Sequence, residues 1–281
     1  MASSCVGKHA DLAEAFPARP DDILLAMKRV VVTGAAGGVG TLLRPWLRGV
    51  ADEIRLVDLK PVTAGDGEVA LQGDVTDLAF ARRALVGSEA CVHLAAIPVE
   101  GTFDAILHSN IHGTWTVFEA ARHEGCERVV FASSNHATGF YPIARRVSPR
   151  DPVKPDTYYG VSKVFGEALG SMYHDKFGLR VACIRIGGAR PRPVDERDLS
   201  IWLSPGDLGR LVRACLTSPE LGFAIVYGAS RNTRGWWDLG SARRLGYEPQ
   251  DDAEVFAEEV KKIPPLEFQG GDKFTGPGST P

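Results

Sequence analysis

The sequence predicts an α/β fold: a doubly wound parallel sheet with helices on both faces and a small C-terminal substrate-binding region. Three observations predict it. A β-branched run, Val30-Val31-Val32, enters a glycine turn that opens onto apolar residues at helical spacing. Apolar runs of strand length then alternate with helical patterns through most of the chain. One of those runs ends in a polar quartet, at the edge where doubly wound sheets hold ligands. The 281 residues, 44% hydrophobic and 24% charged, have the composition of a globular chain. A net charge of -3 without blocks of like charge gives no signature of nucleic-acid or membrane-surface binding. No apolar run approaches the roughly 18 residues of a membrane span.

The first turn reads Thr33-Gly34-Ala35-Ala36-Gly37-Gly38-Val39-Gly40, followed by Leu42, Leu43, Trp46 and Leu47. Glycines let the backbone turn tightly and approach a pyrophosphate, and a helix N-terminus offers it unpaired N–H groups. Gly34, Gly37, Gly38, Val39 and Gly40 therefore read as a Rossmann-type dinucleotide-binding turn. The second strand, Glu53 to Asp58, ends in an acid 18 residues beyond Gly40, near the spacing of about 20 for the acid that binds the adenosine ribose. A carboxylate there accepts from two ribose hydroxyls and repels a 2′-phosphate, so the expected cofactor is NAD rather than NADP.

Glu68 to Leu71 reads as a third strand. Asp74 after it can reach an adenine amino group while Val75 packs on the ring. Thr76 or Asp77 caps a helix over Leu78–Leu85. Ala90 to Leu94 is a buried strand, and the small Ala95-Ala96 after it leave room for ribose and nicotinamide. A long helix is expected from about Thr102 to His123. His108 and His112 lie four apart on it but lack a third residue at metal-site spacing, so no metal is expected. Arg128 to Ala132 is a strand that delivers Ser133-Ser134-Asn135-His136 at its C-terminal end. After a Pro- and Arg-rich loop, Asp156-Thr157 opens a helix on which Tyr159 and Lys163 share a face.

Arg180 to Ile186 is the sixth strand. An irregular stretch, Ala189 to Ser204, carries Arg190, Arg192 and Arg197; a helix over Asp207–Leu216, a strand over Phe223–Tyr227 and an amphipathic helix over Glu254–Lys262 follow. The expected organisation is a dinucleotide-binding domain over 27–267, with its substrate region built from about 187–204 and 228–267. An irregular tail covers 268–281. Residues 1–26 read as a disordered or mis-assigned extension without the basic and apolar regions of a secretory signal. Five scattered cysteines with no C-x-x-C pair suggest neither disulfides nor zinc, and fit a reducing, cytoplasmic compartment.

Together, Thr33-Gly34-x-x-Gly37-x-x-Gly40, Asp58, Asp74, His93-Leu94-Ala95-Ala96, Asn110 and Tyr159-x-x-x-Lys163 resemble the extended short-chain dehydrogenase/reductase family. The resemblance extends to its uronic-acid-oxidising members through further stretches. These are Val130–His136, Gly139–Pro142, Tyr159–Glu167, Arg197-x-x-Ser200-x-Trp202, Gly228-Ala229-Ser230, Gly235-Trp236-Trp237-Asp238 and Phe268–Gly271. It implies Tyr159 as general base, Ser134 on the reacting oxygen and Lys163 on the nicotinamide ribose. It also implies Asn110 on a proton-draining water chain, Arg197 on a uronate carboxylate, and Asn135 and His136 on sugar hydroxyls. Leu94, Ala95 and Ala96 join the cofactor contacts, the partner is a small uronic acid, and a homo-oligomer is expected.

The residue chemistry agrees. Oxidising an alcohol needs a hydride acceptor and a base for the hydroxyl proton. A tyrosine ordinarily titrates near about 10, so Lys163 and the positive nicotinamide ring are expected to favour its phenolate. Two positions depart from the family pattern: Pro98 and Gly188 stand where it has serines. Two rival readings share the first turn. A sugar-nucleotide epimerase or dehydratase usually has a larger C-terminal lobe than the roughly 95 residues after the sixth strand. A non-catalytic NAD-sensing protein typically lacks the tyrosine–lysine pair.

Overall fold

The computed structural model describes residues 27–271. Seven parallel strands form the central sheet: β1 (Met27–Thr33), β2 (Ala51–Asp58), β3 (Glu68–Gln72), β4 (Ala90–His93), β5 (Arg128–Ser134), β6 (Arg180–Ile186) and β9 (Phe223–Gly228). Their order is β3-β2-β1-β4-β5-β6-β9. This is the doubly wound arrangement expected, and the order reverses between β1 and β4, where such sheets open a ligand crevice. The register there pairs Val30 with Ala90 and Thr33 with His93. Strands β4 and β5 are buried almost throughout, as parallel strands covered on both faces must be.

Helices α1 (Gly38–Leu43) and α7 (Pro205–Thr217) cover one face, burying Leu43, Leu208 and Leu211 against Val30, Val32 and Val92. Helices α2 (Leu78–Leu85), α4 (Gly113–His123) and α5 (Tyr158–Phe177) cover the other, with Val117, Phe118 and Tyr173 against Val129, Phe131 and Val181. A third cluster of Tyr141, Val147, Ile201, Tyr227 and Trp237 lies beyond the C-terminal strand ends. Beside it stand a two-stranded sheet of β7 (Gly188–Ala189) and β8 (Trp202–Leu203), α6 (Asp198–Ile201) and α8 (Gly240–Arg244), while short α3 (Phe103–Ile106) packs against α5 through Phe103 and Tyr158.

Two helices differ from expectation. The long one over Thr102–His123 is interrupted by a π-helical turn, Leu107–His112, between α3 and α4. The one expected over Glu254–Lys262 is only a 3-10 turn, Ala253–Phe256. Its apolar Phe256, Ala257 and Val260 pack on Leu199 and Trp202, so their spacing is satisfied by a turn rather than by helical propagation. Ala189–Ser204, expected to be irregular, holds α6 and β8. Asp77, of the two cap candidates, caps α2 by accepting from Ala79 N–H at 2.9 Å. Among the described residues no helix is long and apolar enough to cross a membrane, and no cluster of His, Cys, Asp and Glu suits a metal. His108 and His112 instead stack on each other, 6.0 Å apart. Residues 1–26 and the tail beyond Gly271 lie outside the described residues.

Candidate active site

The first half of the site is built from backbone. Gly34 has φ +73°, and a β-carbon there would stand 2.6 Å from the amide nitrogen of Ala95. One on Gly40 would stand 2.5 Å from the carbonyl oxygen of Gly34. The turn is thus pressed against the end of β4 and its own helix, which accounts for two of the three spaced glycines. A β-carbon on Gly38 meets nothing within 4 Å, so this side of the turn opens to the crevice. Asp58, at the end of β2, accepts from Ala36 N–H and Lys60 N–H, both at 2.9 Å. Its carboxylate is thereby fixed beside the turn. Asp74 accepts from Thr76 N–H at 2.8 Å, next to the buried Val75. An open glycine face, a fixed acid on the neighbouring strand and the small Ala95-Ala96 across the switch point fit a dinucleotide.

The second half is built from side chains at the ends of β5 and α5. Ser134 ends β5, and a 3-10 turn over Asn135–Thr138 carries Asn135 and His136 onward. Helix α5 starts after Thr157, whose hydroxyl accepts from Gly160 N–H at 2.8 Å. The carboxylate of Glu100 takes the N–H groups of Tyr158 and Tyr159, at 3.1 and 3.0 Å. Groups that a helix start leaves orphaned are so satisfied by an anion. Tyr159 and Lys163 are both buried, and the lysine ammonium lies 5.3 Å from the tyrosine ring centre. Burial pushes the Tyr159 phenol up to about 12, against a hydrogen bond with Ser134 that works the other way. Burial also brings Lys163 down to about 7. The protein's side chains alone therefore raise the tyrosine rather than favouring its phenolate, because desolvation penalises either charge on its own.

Asn110 sits in the π turn. Its amide accepts from Ile97 N–H at 2.8 Å and donates to the Ile97 carbonyl and Ser162 hydroxyl, at 3.1 and 3.2 Å. Ser162 in turn donates to the Tyr159 carbonyl at 2.7 Å. Asn110, which the resemblance places on the proton-draining water chain and among the cofactor contacts, is bonded within the protein and ties the loop after β4 to α5. π turns recur at functional sites, and this one places Asn110 between both elements.

On the substrate side, His136 Nδ1 lies 2.9 Å from Asp156, whose carboxylate is fully buried. A β-carbon on Gly139 or Gly270 would overlap that carboxylate, at 1.8 and 1.7 Å, so two glycines make its slot. Hydrogen bonding to a carboxylate makes Nδ1 the protonated nitrogen and turns the other edge of the ring away. The imidazole stands edge-to-face with Tyr159, 5.8 Å between centres. Arg197 donates from Nε and Nη2 to the Gln269 carbonyl, at 3.1 and 2.8 Å. Its Nη2 also reaches the amide oxygen of Asn135 at 3.0 Å when that amide is turned to donate to the Ile186 carbonyl. Gln269 is itself clasped: Trp237 Nε1 donates to it at 2.8 Å, and it donates to the carbonyls of Pro142 and Arg145. Gly188 is buried, and a β-carbon there would come within 2.9 Å of Asp198 Oδ1. Asp198 thus crowds the space beside Gly188, one of the two positions at which the expected family pattern has a serine.

Behind these residues runs a buried network. Glu167 accepts from Ser133 at 2.6 Å and from two Arg185 nitrogens at 2.8 Å. Arg185 stacks over the Tyr227 ring, whose hydroxyl meets Thr138 at 2.8 Å. Tyr227 lies flat on Trp237, 4.8 Å between centres.

The model of the NAD dependent epimerase/dehydratase family matches residues 30–189, more than half of the chain. The chain belongs to this family. It is 43% identical to the uronate dehydrogenase of Agrobacterium fabrum over 89% of its own length and 98% of that protein's. A mutant of the Agrobacterium tumefaciens uronate dehydrogenase complexed with NAD superposes with a TM-score of 0.85 at 42% identity, over 90% of this chain and 98% of that one. The glucuronic acid dehydrogenase of Chromohalobacter salexigens superposes with a TM-score of 0.86 at 40% identity, over 90% and 98%.

Within this epimerase/dehydratase fold, Ser134, Asn135, His136, Tyr159, Lys163 and Arg197 come together at one strand edge. Gly34, Gly37, Gly38, Val39, Gly40, Asp58, Asp74 and Val75 gather at the neighbouring ends of β1 to β3. Three supporting residues escaped sequence reasoning: Glu100, Asp156 as the partner of His136, and Gln269 as the clasp of Arg197. The adjacency of Asp156 to a helix cap was visible in the sequence, and Phe268–Gly271 stood out only through the family resemblance.

Proposed function

We propose that the protein is an NAD-dependent uronate dehydrogenase, oxidising C1 of pyranose D-galacturonate or D-glucuronate to the aldarolactone. The observation that carries this reading is the convergence of Ser134, Tyr159 and Lys163 with a held arginine, Arg197, at the strand edge beside the glycine turn. Gly34–Gly40, Asp58, Asp74 and Val75 would hold the NAD, whose nicotinamide supplies the hydride acceptor when bound. The carboxylate of Asp58 opposes a 2′-phosphate. Tyr159 takes the proton of the C1 hydroxyl as general base, and Ser134 hydrogen-bonds the same oxygen. Because burial disfavours a lone phenolate and a lone ammonium alike, the Tyr159 anion and the Lys163 cation form as a pair, each offsetting the other's desolvation. Arg197, its position set by Gln269 and Asn135, receives the uronate carboxylate. Asn135 and His136 bind sugar hydroxyls. The similarity to uronate dehydrogenases over nearly the whole chain supports the substrate class.

The test is the appearance of NADH absorbance on mixing the protein and NAD with D-galacturonate, D-glucuronate or neutral D-galactose. Turnover is expected with the uronates and not with the neutral sugar. Absence of NADH with either uronate would falsify the reading. Tyr159→Phe is expected to lower turnover by about 10²–10⁴-fold, the contribution of an acid–base group; a near-normal rate would assign the base elsewhere.

A further inference from the structure

Separate from the strand-edge site is a half-open cavity of about 200 Å³. Its wall includes Arg146, Ser200, Arg231, Trp237, Asp238 and Arg243, and none of Ser134, Asn135, His136, Tyr159, Lys163 or Arg197. Several motifs that the proposed reaction leaves unused meet here: Ser200, Ala229-Ser230, and Gly235 with Trp237-Asp238.

The charges of this wall are unbalanced. Nearby arginines have carboxylate partners: Arg234 is 2.7 Å from Glu254, Arg210 is 2.7 Å from Asp207, and Arg145 pairs with Asp151. Among the described residues, the guanidinium groups of Arg146, Arg231 and Arg243 have neither an ion pair nor a hydrogen bond. The acid of the wall, Asp238, accepts from Gly240 N–H at 2.8 Å. Asp252, which feels Arg231 at longer range, is bound to Thr233 and to Glu254 N–H. Three cations against one carboxylate leave the cavity with two positive charges in excess. Each guanidinium is a planar fork matched to the paired oxygens of a carboxylate or phosphate. The Ser200 hydroxyl adds a neutral donor, and Trp237 an apolar wall. The volume lies below the roughly 300–1,000 Å³ of drug-sized ligand sites, so a dinucleotide is too large and a compact anion fits.

We propose that this cavity is a second binding site, for a small doubly charged oxyanion held by Arg146, Arg231 and Arg243. Phosphate and an open-chain sugar dicarboxylate share that chemistry. The site abuts the substrate machinery through two contacts. Ser200 N–H donates to the Arg197 carbonyl at 3.0 Å, and Trp237 holds Gln269, which holds Arg197.

The test is calorimetric titration of the full-length protein at fixed ionic strength with inorganic phosphate, with galactarate, and with potassium chloride as the control for screening. Intrinsic tryptophan fluorescence serves as a second readout. Saturable binding of one equivalent of phosphate or galactarate is expected; whichever binds identifies the source, and chloride gives none. Arg231→Ala and Arg243→Ala are each expected to weaken it by about tenfold, the loss of one charge-assisted hydrogen bond. Arg197→Ala should leave it intact. Lack of saturation by both anions, or unchanged affinity in the Arg146→Ala/Arg243→Ala double variant, would overturn the proposal. So would loss of binding in Arg197→Ala with retention in that double variant, which would place the anion in the substrate cleft. The three arginines are exposed, so their replacement leaves the fold to be measured, and the binding readout does not depend on uronate turnover.

Discussion

The β1 side and the β5 side of the cleft place their functional groups by different means. On the β1 side, shape comes from backbone: the left-handed Gly34, its contact with Ala95, and the tight approach of Gly40 to Gly34. The side chain that matters most there, Asp58, is fixed by two N–H groups close by. On the β5 side, several of the candidate side chains are held by another side chain or by a distant piece of chain. His136 is held by Asp156, Arg197 by Asn135 and Gln269, and the strand beneath them by Glu167 and Arg185. On the proposed reading, the backbone cradle takes the dinucleotide. A side-chain scaffold can be changed one residue at a time, which is where substrate choice is expected to reside.

The comparison can be broken most severely at Glu167. Glu167→Ala leaves the fully buried Arg185 without its carboxylate, and about 3–5 kcal/mol of stability is expected to be lost, measured by urea unfolding. A loss below about 1 kcal/mol, the value of an exposed pair, would mean the β5 side does not depend on this network. Gly34→Ala tests the other side. A methyl group there must enter the Leu94–Ala95 backbone just after β4 at a positive φ, with strain of about 1–3 kcal/mol. NAD affinity, followed by quenching of protein fluorescence, should fall while the uronate KM at saturating NAD stays near its wild-type value. The reverse pattern would erase the distinction between the two sides. Asp156→Asn is the mildest change. It keeps the shape of the buried slot but weakens the hold on His136, so kcat/KM for uronate should fall about tenfold, the loss of one charge-assisted hydrogen bond. KM for NAD should not change. Addition of His136→Ala to Asp156→Asn should cost no more than His136→Ala alone, because the two act as one unit; full additivity would separate them.

What the sequence revealed follows the same division. Gly34–Gly40, Asp58, and the Tyr159–Lys163 pair lie within short windows whose spacing carries their geometry, and each of the seven sheet strands overlaps a short stretch read as a strand. The Glu254–Lys262 spacing was misleading because its apolar residues pack onto Leu199 and Trp202 from a turn, and periodicity records only which residues face inward. The π turn at Asn110 was invisible, since one widened turn hardly alters a helical pattern. Glu100 reaches Tyr159 from 59 residues away and Gln269 reaches Arg197 from 72. No local rule of spacing reports such meetings. The direction of the Tyr159 titration was also hidden, because burial is set by neighbours from several strands.

The clasp by Gln269 has a consequence for the order of synthesis. Domains begin to fold as they leave the ribosome, N-terminal parts first, and every strand of the sheet precedes residue 229. The cradle for the cofactor can therefore assemble on a growing chain, while Arg197 waits for a residue 72 positions later to arrive. On the proposed reading, a chain trimmed before Gln269 is expected to bind a dinucleotide normally and a sugar acid weakly. Completion of the proposed substrate side therefore depends on the segment around Gln269 folding back onto Arg197.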